Sequence, residues 1–70
     1  MERKKVNSSK IRSVGYDERN RVLEVELSDG SIYQYSGVSP EVHRRFTSAP
    51  TIASFYQDKI EEEFPRKRIR

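Results

Sequence analysis

Leu23-Glu24-Val25-Glu26-Leu27-Ser28-Asp29-Gly30-Ser31-Ile32-Tyr33-Gln34-Tyr35 reads as a β-hairpin with a Tyr-x-Tyr on its second limb. Leu23, Val25 and Leu27 alternate with Glu24 and Glu26, the period of a half-buried strand, and Asp29-Gly30 marks the reversal. Two turns suit the glycine. A two-residue loop of Asp29-Gly30 pairs Leu27 with Ile32 and puts Tyr33 and Tyr35 on the face of Glu26 and Glu24. A type I turn through Ser28-Asp29, with Gly30 as a left-handed G1 bulge, pairs Val25 with Tyr33 and Leu23 with Tyr35. Only the bulged register gathers Leu23, Val25, Leu27, Tyr33 and Tyr35 on one face and leaves Glu24, Glu26 and Gln34 on the other, so it is the expected one.

Upstream, Ser9 to Tyr16 reads as a first strand of low apolar content, suited to a sheet edge, with Ile11, Ser13 and Gly15 on one face and Val14 and Tyr16 on the other. Asp17-Glu18-Arg19-Asn20 is turn-forming, with Asn20 suited to the left-handed conformation, and the next strand begins near Arg21. Downstream, Ser39 is a good N-cap, Pro40 fits the first helical turn, and Glu41 complements the helix dipole. Val42 and Phe46 share one stripe of that helix, which Pro50 ends. A second amphipathic run carries Ile52, Phe55, Tyr56, Ile60 and Phe64 until Pro65 stops it. The fold class is therefore α+β: a three-stranded antiparallel β-meander followed by two helices packed on one sheet face. Its core is predicted to be Ile11, Leu23, Val25, Leu27, the tyrosine rings, Val42, Phe46, Ile52, Phe55, Ile60 and Phe64.

The chain has 70 residues, no cysteine and one histidine. At this length a single core supplies only ~3–5 kcal/mol, and neither disulfides nor a thiolate zinc site can add to it. No cofactor, metal or small-molecule substrate is expected. The absence of an apolar run approaching the ~18 residues of a membrane span, or of an apolar segment behind the N-terminal charges, predicts a soluble, cytoplasmic protein with no membrane partner. The net charge of +3 is unevenly distributed: residues 1–12 carry +4, residues 66–70 carry another +4, and residues 13–65 set five basic against ten acidic side chains. Cationic ends thus flank an acidic body.

In the order and spacing of several short pieces the chain resembles the KTSC domain family, short domains that occur as small stand-alone bacterial proteins and at the C-terminus of some lysyl-tRNA synthetases. The pieces are Ser8-Ser9-Lys10-Ile11-Arg12-Ser13-Val14-Gly15-Tyr16-Asp17, Leu23 to Leu27, Gly30 to Tyr35 with its Tyr-x-Tyr, Val38-Ser39-Pro40-Glu41-Val42, and Phe55-Tyr56 followed by Ile60. Residues 8–65 form the resembling domain, between a flexible basic segment, 1–7, and a basic tail, 66–70. The resemblance implies no particular activity, and the synthetase association implies RNA, tRNA among others, as partner. One departure is Thr51-Ile52-Ala53 where family members often have Ser-x-Gly; Ala53 restricts the close backbone approach that an anion cradle would need there.

The function read from these features is a small non-catalytic binding module, expected to contact RNA mainly through phosphates, with Arg12, Arg44, Arg45, Arg66, Lys67, Arg68 and Arg70 as cations and Tyr33 and Tyr35 as aromatic candidates. The two tyrosines have two readings: base-stacking platforms, or buried rings whose hydroxyls are hydrogen-bonded at the core edge, which the bulged register favours. The alternative function is protein interaction or homodimerisation through an outward apolar face of Val14, Tyr16, Val22 and Ile32, unless the chain's own ends around Val6 or Ile69 cover it. Nothing points to catalysis. His43 has no cysteine or second histidine to work with, and the consecutive helical positions Glu61-Glu62-Glu63 diverge by ~100° each and form a solvated face.

Overall fold

The computed structural model describes residues 3–6 and 8–70. It confirms an α+β fold with an antiparallel sheet and two helices, but the sheet has five strands rather than three. They are β1 (Arg3–Lys5), β2 (Ile11–Asp17), β3 (Val22–Leu27), β4 (Ile32–Ser36) and β5 (Arg66–Arg68), adjacent in that order and all antiparallel. The two additions come from the basic ends of the chain. The strand read as an edge, β2, is therefore interior.

The hairpin takes the bulged register: Val25 faces Tyr33 and Leu23 faces Tyr35. Gly30 donates to the Leu27 carbonyl (3.0 Å), Leu27 donates to the Ser31 carbonyl (2.8 Å), and Gly30 sits at φ 93°. Asp29 accepts from the Ser31 amide (2.9 Å) and hydroxyl (2.6 Å), which closes the turn and holds the Asp29 carboxyl below its ordinary pKa.

β2 departs from strict alternation. Its pairing with β3 shifts between Ile11 and Ser13, so that Ile11 faces Leu27, Ser13 faces Glu26 and Val14 faces Val25. The extra residue reverses the parity, and Ile11 and Val14 both turn inward. Val14 and Tyr16 therefore lie on the helix-packed face, whereas Val22 and Ile32 lie on the other, beside Asp17, Ser36 and Glu26. The four-residue outward apolar patch does not exist as a surface.

Helix α1 (Pro40–Ser48) begins as its sequence predicts, with the Ser39 side chain accepting from the Val42 amide (3.3 Å). A short helix α2 (Ile52–Phe55) runs into a π-helical segment (Tyr56–Ile60) in which the Glu61 amide reaches back to the Tyr56 carbonyl (2.8 Å). Helical structure thus ends before Phe64. Phe46 of α1 meets Phe55 and Tyr56 at centroid distances of 5.8 and 6.3 Å, closing the helices over Ile11, Leu23, Val25 and Tyr35. Val14 and Val38 are core residues that the sequence pattern did not identify.

The β2–β3 turn is fastened by Asp17, which accepts from the Asn20 side chain at 2.8 Å. The left-handed residue is not Asn20 but Arg21, at φ 55°. A side chain with a Cβ in that region costs on the order of 1 kcal/mol. Glycine's larger backbone entropy in the unfolded chain offsets part of this relief, so Arg21→Gly should leave stability unchanged or raise it by up to ~0.5 kcal/mol, measured as the urea midpoint; a clearly lower midpoint would show that the turn is not strained.

Candidate functional site

Alternation along β5 and its pairing with β4 decide where the C-terminal cations point. Arg68 faces Tyr33, Lys67 faces Gln34 and Arg66 faces Tyr35, so Arg66 and Arg68 share the helix side of the sheet and Lys67 takes the opposite side. The Arg66 guanidinium lies 4.4 Å from the centroid of the Tyr33 ring, and that of Arg68 lies 6.0 Å away. Arg66 also reaches the Glu61 carboxylate at 3.7 Å. The strand thus presents three exposed cations along one sheet edge, two of them resting on a half-exposed tyrosine.

Tyr35, paired with Arg66 across the strands, is a core residue. It is 0% exposed, its hydroxyl is bonded to that of the equally buried Tyr56, and the two rings meet edge-on at 5.8 Å. Burial and this hydrogen bond push the Tyr56 phenol well above its ordinary pKa, so its hydroxyl stays neutral. Of the two tyrosines, one belongs to the core and one is roofed by arginine.

Arg12 and Arg70 converge elsewhere, over the open face of the sheet. Glu24 and Glu26, outward in register, are only 6% and 9% exposed. Arg3 pairs with Glu24 across Gly15, whose lack of a side chain leaves that path over β2 open, and Gln34 donates to the same carboxylate at 2.9 Å. Glu26 accepts from the Ser13 hydroxyl at 2.8 Å and has Arg70 and Arg12 within 3.5 and 3.7 Å. These cations balance carboxylates that the sheet has largely desolvated, and removing Arg3 would leave the Glu24 charge without its cation, whereas Glu26 is served by two arginines. Arg45 is likewise engaged, with Glu41 one helical turn away at 2.8 Å.

Arg44 lines an open groove of about 660 Å³ between α1 and the β1–β2 edge, together with Lys4, Lys5, Val6, Val14, Tyr16, Glu18, Pro40 and His43. The Tyr16 hydroxyl donates to the Val38 carbonyl at 2.6 Å, which fixes its ring parallel to that of His43 at 4.3 Å, with 8° between planes. Burial and then the Lys4 ammonium lower the basicity of His43, so the imidazole is neutral near pH 7. Sequence reasoning missed this assembly. Its members come from three separate segments, and the one available signal was the density of lysine near the N-terminus.

The predicted cations therefore fall into separate groups rather than one patch. β1 and β5 are opposite edges of the sheet, four strand spacings or ~19 Å apart.

Comparison with known proteins extends these observations. The KTSC domain family matches residues 7–64, most of the chain but neither edge strand. The crystal structure of a KTSC domain protein from Yersinia pestis is similar at a TM-score of 0.92 and 38% identity, covering 99% of this chain and 97% of that one. An uncharacterised protein of Stutzerimonas stutzeri is 35% identical over 66 residues, 94% of this chain and 93% of its own length.

Proposed function

This chain belongs to the KTSC domain family, and we propose that it works as a small, non-catalytic cytoplasmic module that binds RNA by its phosphates along the β5 edge. The observation that carries this reading is the alignment of Arg66 and Arg68, two positions apart on one face of an exposed strand, with Tyr33 beneath them. Alternate residues of a strand stand ~6.6 Å apart, a spacing comparable with that of successive phosphates along an extended strand. The tyrosine ring holds the Arg66 guanidinium over its face, so less side-chain freedom is lost when a phosphate is bound. Arg44, on the far side of the molecule, does not belong to this surface; Arg45 is on α1 with Glu41, and Arg12 and Arg70 are directed to Glu26 on the open face of the sheet, whereas Arg66, though 3.7 Å from Glu61, keeps its guanidinium over Tyr33 on the β5 edge.

The family's occurrence beside lysyl-tRNA synthetases supports RNA as the partner. The protein-interaction alternative lacks its surface: Val14 and Tyr16 pack under the helices, and Val22 and Ile32 are left on a face dominated by Glu24, Glu26 and their arginines.

Replacing Arg66 and Arg68 together by glutamine removes two cations and keeps the strand. Titration of tRNA or single-stranded RNA at several salt concentrations should then show weaker binding, with a log–log salt slope smaller by ~1.4 for single strands and ~1.8 for duplex. Parent protein that binds no RNA at low salt, or a double variant with unchanged affinity and slope, would remove this reading.

A further inference from the structure

We propose that the groove between β1, β2 and α1 is a second, independent site that takes a nucleoside monophosphate group, either as a free nucleotide or as the phosphorylated end of a strand. It goes beyond the β5 reading, since it uses the opposite edge of the sheet and shares no residue with it.

Three features of the groove select this chemistry. The first is charge from two walls: Lys4 comes from β1, on the side of the sheet that Val14 shares, and Arg44 from α1, while the ion pairs among the described residues are made by other arginines. Cations that converge on a concavity from elements far apart in sequence favour an anion bound between them over one passing across a convex surface. The second is the stacked pair of Tyr16 and His43, flat and largely apolar, which provides a planar contact that inorganic phosphate cannot use and a nucleobase can. His43 in its neutral form keeps a ring N–H for hydrogen bonding without adding to the charge. The third is Glu18 at the rim. One carboxylate accepts from ribose hydroxyls or base amino groups, and it disfavours the extra negative charge of a polyphosphate. The volume of about 660 Å³ is in the range of ~300–1,000 Å³ typical of small-molecule sites, and larger than phosphate alone requires.

His43 is the chain's one histidine, so its ring resonances report the groove without ambiguity. Titrating the full chain with AMP should move them saturably. It should also raise the pH of half-protonation, because the bound phosphate offsets the Lys4 ammonium. Inorganic phosphate and adenosine, each lacking half of the ligand, should bind at least tenfold more weakly. Lys4→Gln combined with Arg44→Gln, both exposed positions, should weaken AMP at least tenfold with the fold retained by circular dichroism, whereas glutamine at Arg66 and Arg68 should leave it unchanged.

Short oligoribonucleotides with a 5′-phosphate or a 5′-hydroxyl separate the two sources. Tighter binding of the phosphorylated oligonucleotide than of AMP, lost in the groove variant, identifies a strand end, and equal or weaker binding identifies the free nucleotide. No saturable shift of His43 with AMP, or undiminished binding by the groove variant, overturns the proposal. RNA binding that survives the β5 substitutions leaves this site standing and removes only the β5 reading.

Discussion

Tyr35→Ala should unfold the domain at room temperature. Deleting a buried aromatic ring costs ~3–5 kcal/mol, and a core of this size supplies a similar total. The ring is 0% exposed and touches Tyr56 edge-on. Tyr35→Phe isolates the polar part of the interaction: it keeps the ring and leaves the Tyr56 hydroxyl buried without its partner, for ~1–3 kcal/mol. Tyr56→Phe should cost about the same. The double Phe variant should cost less than the sum of the two, because once both hydroxyls are gone no orphaned group remains. Urea denaturation of the four proteins gives the cycle, and strictly additive losses would mean that the hydroxyls do not depend on one another. Tyr33→Ala, at a half-exposed ring roofed by Arg66, should cost distinctly less than Tyr35→Ala.

The difference between those tyrosines shows what the sequence could reveal. The hairpin register was legible because it is local: Gly30 permits a positive φ, and one register keeps the apolar residues of both limbs together. The start of α1 was legible for the same reason, as Ser39 and Pro40 act within one turn. The register put Tyr33 and Tyr35 on one face, but the depth of burial depends on what lies above each. Tyr35 meets Tyr56, and Tyr33 meets arginines from the end of the chain.

β1 and β5 were hidden because Arg3–Lys5 and Arg66–Arg68 have no apolar alternation to announce a strand. Their sheet-forming information lies in backbone hydrogen bonds to β2 and β4 and in carboxylates distant in sequence. The bulge in β2 carries no glycine to mark it, and that one residue moved Val14 from the expected outer face into the core and Tyr16 to the partly buried margin of the helix-packed face. The same change of parity placed Tyr16 where it stacks on His43, so the groove was concealed along with the bulge. A period-two pattern gives the faces of a strand only as far as the first irregularity.

Truncation after Pro65 should destabilise the protein by ~2–3 kcal/mol rather than remove an inert tail. Ile32 is 4% exposed, and its position on β4 is bracketed by Ile69 and Arg70: the Ile69 amide donates to the Ile32 carbonyl (2.8 Å) and the Ile32 amide to the Arg70 carbonyl (2.9 Å). Uncovering such a side chain costs ~1.5–3 kcal/mol. The lost strand hydrogen bonds add to this, while the freed backbone entropy of residues 66–70 offsets part of it. Glu26 also loses Arg70, and Glu61 loses Arg66. Against a core worth ~3–5 kcal/mol, the truncated chain should melt far below the full chain and expose an unpaired β4 edge prone to self-association. An unfolding midpoint equal to that of the full chain would mean that β5 contributes nothing and that the basic end is an appendage. If the midpoint falls, loss of RNA binding on truncation reports a damaged sheet as much as missing cations. The electrostatic contribution is then measurable only by glutamine substitution at Arg66 and Arg68, where the backbone ladder to Tyr33 and Tyr35 stays in place.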